Sequence, residues 1–421
     1  MKGVQAMLIA CVTALCACAS TSNVRSMSET QHTAYVPSEE EQWAIEQADK
    51  FHAELAEQGL LYRDGQVTSC LARIEGNLLS NSEQLQDTIS LFILKSPTPN
   101  ALALPNGRIY LNAGLFTPLE SENQLAAIAA HEIAHVIQRH STQAIISQKN
   151  KLIGSHILDF ATGGFGLVYL GTYASIMSFS REQEQEADEE ALILLEKSGY
   201  PKTALLQAFQ ALNRYSEFRH NKQSLYSSHP SFVSRMKRLE KIAGTANATT
   251  LEVTTREDEF NYIKAKMMES SLRMRLRNNE FNQALTIVEE ADNHFPDSAK
   301  KDFFRGEVYY GFYKHPKISA KEYYWIQTGK YKADEETEEK FFSEMENNLS
   351  AAIKSYKLSI QADQPYAKAL RRLGEIAEIQ GQDQQALYYF NTYLKQLPDA
   401  RDVLYVKRAL NRLGQQSGDS Q

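Results

Sequence analysis

The run Ser121-Glu-Asn-Gln-Leu-Ala-Ala-Ile-Ala-Ala-His-Glu-Ile-Ala-His-Val-Ile-Gln-Arg-His140 contains neither glycine nor proline. Ser121 followed three residues later by Gln124 is the signature of a helix N-terminus, so the stretch from Glu122 onward is predicted to be one helix. His131 and His135 are four residues apart, so they point within about 40° of each other, one turn apart, and two imidazoles can share one metal ion. Glu132 lies on the same flank, where a carboxylate can accept a proton from a water without itself being a ligand. Ala126, Ala127, Ala129, Ala130 and Ala134 make a narrow, close-packing helix. The histidines are therefore expected to be interior, where a polar ring needs a partner. The bland alternative is a pair of hydrogen-bonded core histidines. His140, five residues after His135, points away on a continuous helix and reads as structural.

A catalytic zinc needs a third protein ligand and one open position. The best source is Ser180-Arg-Glu-Gln-Glu-Gln-Glu-Ala-Asp188, which begins a second helix. An H-E-x-x-H helix followed by Ser-Arg and then Glu-x-x-Ala-Asp resembles the zinc metallopeptidase family of HtpX, the prenyl-protein endoproteases and the BepA-like periplasmic proteases. The resemblance spans roughly residues 45 to 240. It implies one Zn2+ per chain, held by His131, His135 and Glu184, with Glu132 as the catalytic base and Asp188 orienting a ligand histidine. Glu182 and Glu186 project elsewhere and are expected to be solvated. Asn100 to Gly114 is similar to the family's strand region, and Asn106-Gly107 is a hairpin signal in its own right. An edge strand there, with Leu104, Gly107 and Ile109, is expected to hold an extended peptide substrate. Ser228-His229-Pro230 resembles a segment of the BepA-like members whose histidine reaches the zinc. By that resemblance His229 is a fourth ligand or a switch; a surface histidine before a turn proline is the plain alternative.

The remainder of the chain, after about residue 260, is helical in pattern and carries an internal period. Ala352 and Ala386 are 34 residues apart, as are Tyr356 and Phe390, while Gly306 lies two such periods before Gly374 and Pro296 three before Pro398. Lys314 to Lys340 breaks the pattern, with Ile318 where a small residue belongs. The spacing resembles the tetratricopeptide repeat, a helix pair that buries its face by stacking on its neighbours. An irregular helical bundle is the alternative. Either is a surface for holding protein.

Composition sets the frame. The 421 residues are 43% hydrophobic and 23% charged with net charge −7, which excludes a disordered chain and gives nucleic-acid binding nothing to rest on. Three of the four cysteines fall within the first 18 residues, so neither a disulfide framework nor a cysteine zinc site is available. Lys2 and the short apolar run Val4 to Leu15 read as a secretory signal peptide. Leu15-Cys16-Ala17-Cys18 resembles a bacterial lipobox, which implies lipidation at Cys18. Ala19-Ser20 rather than Asp directly after Cys18 implies, by similarity to Gram-negative lipoproteins, periplasmic anchoring at the inner leaflet of the outer membrane. Cleavage near Ala19 to a soluble periplasmic protein is the alternative. The apolar stretch Leu152 to Phe179 is interrupted by Asp159 and glycines, and its longest clean run, Phe165 to Met177, is too short to span a bilayer, so the stretch reads as a flap over the cleft.

The expected organisation is a leader (1–17), a tether (18–44), a metallopeptidase domain (45–243), a linker (244–259), a repeat-like helical domain (260–415) and a tail (416–421). The expected fold class is mainly α with a small β-sheet. The resemblance implies a zinc endopeptidase acting on misfolded or stalled outer-membrane proteins, with the repeats binding substrate or an assembly machinery. The rival is a chaperone-like binding factor whose zinc site is latent or structural.

Overall fold

A computed structural model describes residues 24–27, 35–149, 178–218, 232–243, 254–290 and 297–418, with the single positions 153, 229 and 295. The leader, Cys18, most of the apolar stretch 152–179, much of the linker and the end of the tail lie outside the described residues. The architecture is mainly helical with one small sheet. No helix among the described residues is long and apolar enough to cross a membrane.

Two long helices precede the sheet, α1 (Glu39–Glu57), opened by a Ser38–Glu41 capping box, and α2 (Gly65–Leu78), capped by Asp64, followed by a single helical turn at Glu83–Gln86. The sheet comprises β1 (Ser90–Leu94), β2 (Ala101–Ala103) and β3 (Arg108–Asn112) in the order β1-β3-β2. β3 is central, parallel to β1 and antiparallel to β2. The predicted hairpin turn joins β2 to β3, with Gly107 at φ +79° donating to the Leu104 carbonyl at 3.0 Å. A side chain at Gly107 would run into the Thr88 carbonyl, so glycine is required there twice over.

The predicted metal-bearing helix is α3 (Glu122–Ile137), with Ser121 Oγ accepting from Gln124 N at 3.3 Å. Gln124 Oε1 does not reach back to Ser121; it accepts from Glu120 N at 2.8 Å. Every residue of α3 is buried except Asn123, which is half-buried, as suits a helix whose alanines let neighbours approach on all sides. Those neighbours are α2, β2, α5 (Arg181–Lys197) and α6 (Thr203–Phe218). The short helix α4 (His140–Ser147) follows α3 directly, and α7 (Phe232–Ala243) packs on α6.

The second half is built of helix pairs. α8 (Glu257–Arg277) pairs with α9 (Phe281–Glu290), α10 (Ser298–Lys314) with α13 (Met345–Gln361), and α14 (Lys368–Ile379) with α15 (Asp383–Gln396), before α16 (Val403–Gly418). In α10 a Cβ on Gly306 would lie 2.6 Å from the Tyr356 ring of α13, and in α14 a Cβ on Gly374 would lie 2.6 Å from the Phe390 ring of α15. Both pairs therefore close on the same glycine–aromatic contact. Tyr356 follows Gly306 by 50 residues but Phe390 follows Gly374 by only 16. The excess is taken up by a hairpin, α11 (Pro316–Thr328) and α12 (Glu335–Ser343), inserted between the two helices of the middle pair. Ile318 lies on that insert, half out in solvent at 42%, so it occupies no repeat position.

α8 serves two cores. Phe260, Ile263 and Met267 belong to the core around α3, whereas Met268 and Leu272 belong to the core of the helix pairs. The expected linker thus ends inside a helix that is part of both halves. Lys264 of α8, pushed down to about 8 by burial, donates to the Leu119 carbonyl at 2.6 Å. Arg73 of α2 grips Glu122, the first residue of α3, through two 2.7 Å hydrogen bonds and reaches Glu259 of α8 at 2.8 Å. Burial opposes ionisation of Glu122, but Arg73 and the Arg256 amide outweigh it and hold its carboxyl below the usual range.

Removing Glu122 leaves Arg73 its Glu259 partner but takes away two charged hydrogen bonds, each worth about 1.5–3 kcal/mol. Glu122→Ala is therefore expected to lower stability by about 3 kcal/mol in urea unfolding near neutral pH. Because the folded carboxyl is depressed, its contribution is complete above the ordinary glutamate value of about 4.3 and is lost as pH falls through the lower folded value. A wild-type advantage that is small, or that does not shrink in acid, contradicts this.

Candidate metal centre

The close approach of α5 to α3 brings Glu184 under the two histidines. His131 Nε2 and His135 Nε2 lie 3.2 Å apart, with their rings at 90°. Glu184 Oε2 is 3.6 Å from His131 Nε2, and Oε1 is 3.8 Å from His135 Nε2. His229 comes in from the other side, its Nδ1 2.9 Å from Glu184 Oε1. One ligand atom from each of His131, His135, Glu184 and His229 falls within 4.8 Å of the rest, and all four residues are buried. Glu132 stands beside them, 2% exposed, with Oε1 3.5 Å from His229 Nε2.

The outer nitrogens of both α3 histidines face polar groups. Asp188 Oδ1 lies 3.2 Å from His131 Nδ1, and His140 Nδ1 lies 3.0 Å from His135 Nδ1. Where Nδ1 carries the proton, Nε2 carries a lone pair. Facing each other at 3.2 Å beside a carboxylate, the two Nε2 atoms must hold either a proton or a metal cation between them. Glu132 Oε2 is buried with no hydrogen-bond partner. The nitrogen and oxygen donor set suits zinc.

Without a metal, a proton takes the cation's place. Burial and the Arg235 guanidinium work against charge on His131, yet Asp188 and Glu184 outweigh them and raise it to about 9. Burial, and after it the neighbouring His131, push His135 well down. Burial raises Glu132, the direction a general base needs to approach neutral pH. Glu184 is held far below the usual carboxylate range because His229, His131 and Arg235 outweigh its burial.

Three features of the site differ from the sequence reading. His140 is not a bystander: Arg139 takes a left-handed conformation, φ +54°, that ends α3 and swings His140 back beneath His135. Nothing in Gln138-Arg139-His140 announces that break. Glu186 is not simply solvated; its Oε2 is 3.1 Å from His140 Nε2 although the side chain is 60% exposed. Arg235 of α7, which the sequence reading missed, clasps Asp188 with contacts of 2.6 and 2.9 Å, pairs with Glu184 and lies over the Phe209 ring at 4.6 Å. Its signal was an arginine on the same helical stripe as Leu239 and Ile242.

The edge-strand expectation also needs correction. Ile109 lies on the central strand, paired on both sides; Gly107 forms the turn; Leu104 N donates to the Arg108 carbonyl. None of these three has an open backbone edge. The edge facing the site is β2. Asn100 and Leu104 turn their polar backbone groups to β3, so by alternation Ala101 and Ala103 turn theirs outward. Beside Ala101 a cleft has apolar walls of Leu115, Ile128, Phe209 and Leu212 and reaches His131, Glu132, His229 and Arg235. Cys18 lies outside the described residues.

Residues 66–243 match peptidase family M48. Over 236 residues the chain is 26% identical to the beta-barrel assembly-enhancing protease of Escherichia coli K12, covering 53% of this chain and 48% of that protein. Over 180 residues it is 28% identical to the mitochondrial metalloendopeptidase OMA1 of Schizosaccharomyces pombe, covering 42% of this chain and 52% of that one. The chain thus spans about half the length of these relatives.

A ligand that binds only the folded site stabilises by mass action, about 4 kcal/mol at a thousand times its Kd. Zinc at that excess is expected to raise the urea midpoint of chelator-treated wild type accordingly and to leave Glu184→Ala unmoved. Equal shifts in both proteins contradict the ligand assignment.

Proposed function

Residues 66–243 being a zinc metallopeptidase domain of family M48, we propose that the chain is an endopeptidase of the bacterial envelope that cleaves misfolded or stalled outer-membrane proteins. The supporting observation is the constellation of His131, His135 and Glu184 with the buried carboxylate of Glu132 alongside. Bound zinc supplies Lewis-acid polarisation of a carbonyl and acidifies water. Glu132 is the base that takes the proton from the attacking water and returns it to the leaving amine. Asp188, clasped by Arg235, holds the His131 ring in place. An extended substrate pairs with the outward backbone of Ala101 beside the cleft and sets an apolar side chain between Phe209 and Leu212.

The helix pairs, read as tetratricopeptide-like repeats, hold the substrate or dock on an assembly machinery. In this reading the leader directs export, and a lipid on Cys18 holds the protein at the inner leaflet of the outer membrane. The assembly and quality-control role extends the printed names of the relatives to this chain.

His229 supports a second reading. A site with four protein ligands does no hydrolysis, and His229 is buried within reach of the other three. Its presence favours either a latent protease that must displace it or a binding factor with a structural zinc.

Degradation of an unfolded protein by purified, zinc-loaded residues 19–421 separates these. Cleavage is expected to rise in His229→Ala and to fall by about a thousandfold in Glu132→Gln, the scale of a general base, with zinc still bound. No cleavage by wild type or His229→Ala, at one zinc per chain, moves the weight to the binding factor.

A further inference from the structure

We propose that His140 is a positioning residue that fixes the tautomer of His135, leaving Nε2 as the metal-facing lone pair, and that Glu186 fixes His140 in turn. The proposal rests on the metal-site reading above. Only one proton can lie between His135 Nδ1 and His140 Nδ1, which are 3.0 Å apart. The far nitrogen of His140 faces Glu186 Oε2 at 3.1 Å. An ionised carboxylate only accepts, so His140 Nε2 must donate. A neutral His140 then has its lone pair on Nδ1, where it accepts from His135 Nδ1–H. The proton on His135 Nδ1 leaves Nε2 bare, pointing at His131 Nε2 and Glu184. The reverse assignment would aim a lone pair of His140 at the Glu186 carboxylate and an N–H of His135 into the metal position.

The surroundings keep this chain of contacts in register. Phe179 stacks on the His135 ring at 3.9 Å and 20°, which restricts rotation of that ring. Arg139, whose left-handed backbone delivers His140, is held by Glu41 at 2.8 Å and lies over the Tyr35 ring at 4.3 Å. One helix supplies all three acidic roles at alternate positions: Glu184 for the metal, Glu186 for His140 and Asp188 for His131. His131 is thus oriented by a carboxylate directly and His135 by a carboxylate through a second imidazole.

The test is zinc affinity, by chelator competition on the full chain, for wild type, His140→Asn and His140→Leu, with His135→Ala marking loss of the site. The asparagine amide oxygen stands close to where Nδ1 was and accepts; leucine has similar bulk and no acceptor. Removal of such an outer partner typically weakens metal binding about 10–100-fold. That loss is expected for His140→Leu, with most of the affinity kept by His140→Asn. Equal affinity in all three proteins, or equal loss in both variants, overturns the role. Wild type that binds no zinc overturns the metal-site reading and this inference with it. Should His140→Leu fail to fold, nitrogen NMR of the zinc-loaded wild type decides directly. Protons on His135 Nδ1 and His140 Nε2 support the proposal, and a proton on His140 Nδ1 overturns it.

Discussion

Two imidazole nitrogens, His131 Nε2 and His135 Nε2, face each other at 3.2 Å inside a helix that is buried on nearly every side. Buried there, the pair closes only with a proton or a metal cation between the two nitrogens, and that charge cannot be shed to solvent. The rest of the domain can be understood as what it takes to hold that pair and satisfy it with a cation. The alanines of α3 let α5 approach until Glu184 joins the two rings. Asp188 and His140 occupy the outer nitrogens. Arg235 balances Asp188 and Glu184, which would otherwise be two buried anions within one helical turn.

The same constraint reaches to the far end of α3. Glu122 is buried at the helix N-terminus, where the backbone favours negative charge, and it is held by Arg73, Tyr200 and the Arg256 amide. Arg73 also holds Glu259 on α8, and Arg275 near the other end of α8 donates to the Pro97 carbonyl at 2.9 Å, close to β2. The helix-pair half is therefore fixed to both ends of the cleft region: the start of the metal-bearing helix and the approach to the edge strand. A protein gripped by the helix pairs would be gripped by a body that shares a helix with the peptidase core.

What was legible in the sequence was local. Ser121, Ser180 and the absence of breakers located α3 and α5, and fixed spacing put His131, His135, Glu184 and Asp188 on facing stripes. What was not legible depended on single backbone torsions or on tertiary closure. Arg139 turns left-handed without a glycine, so a helix extrapolated through it sent His140 the wrong way. Arg235 reads as an ordinary helix charge until Asp188 and Glu184 are seen to need it. Ile109 looked like an edge residue because alternation cannot tell a central strand from a lateral one. In the second half, the insert α11–α12 lengthens the middle pair by 34 residues, the same length as the period. The phase therefore resumed after it as though a degenerate repeat had been passed.

The central claim is that His131, His135 and Glu184 form a zinc centre with nitrogen and oxygen ligands. X-ray absorption at the zinc edge of the zinc-loaded full chain tests it most directly. The account predicts one zinc per chain with a first shell of nitrogen and oxygen only, at about 2.0–2.2 Å. No bound zinc, or a shell containing sulfur at about 2.3 Å, would contradict it.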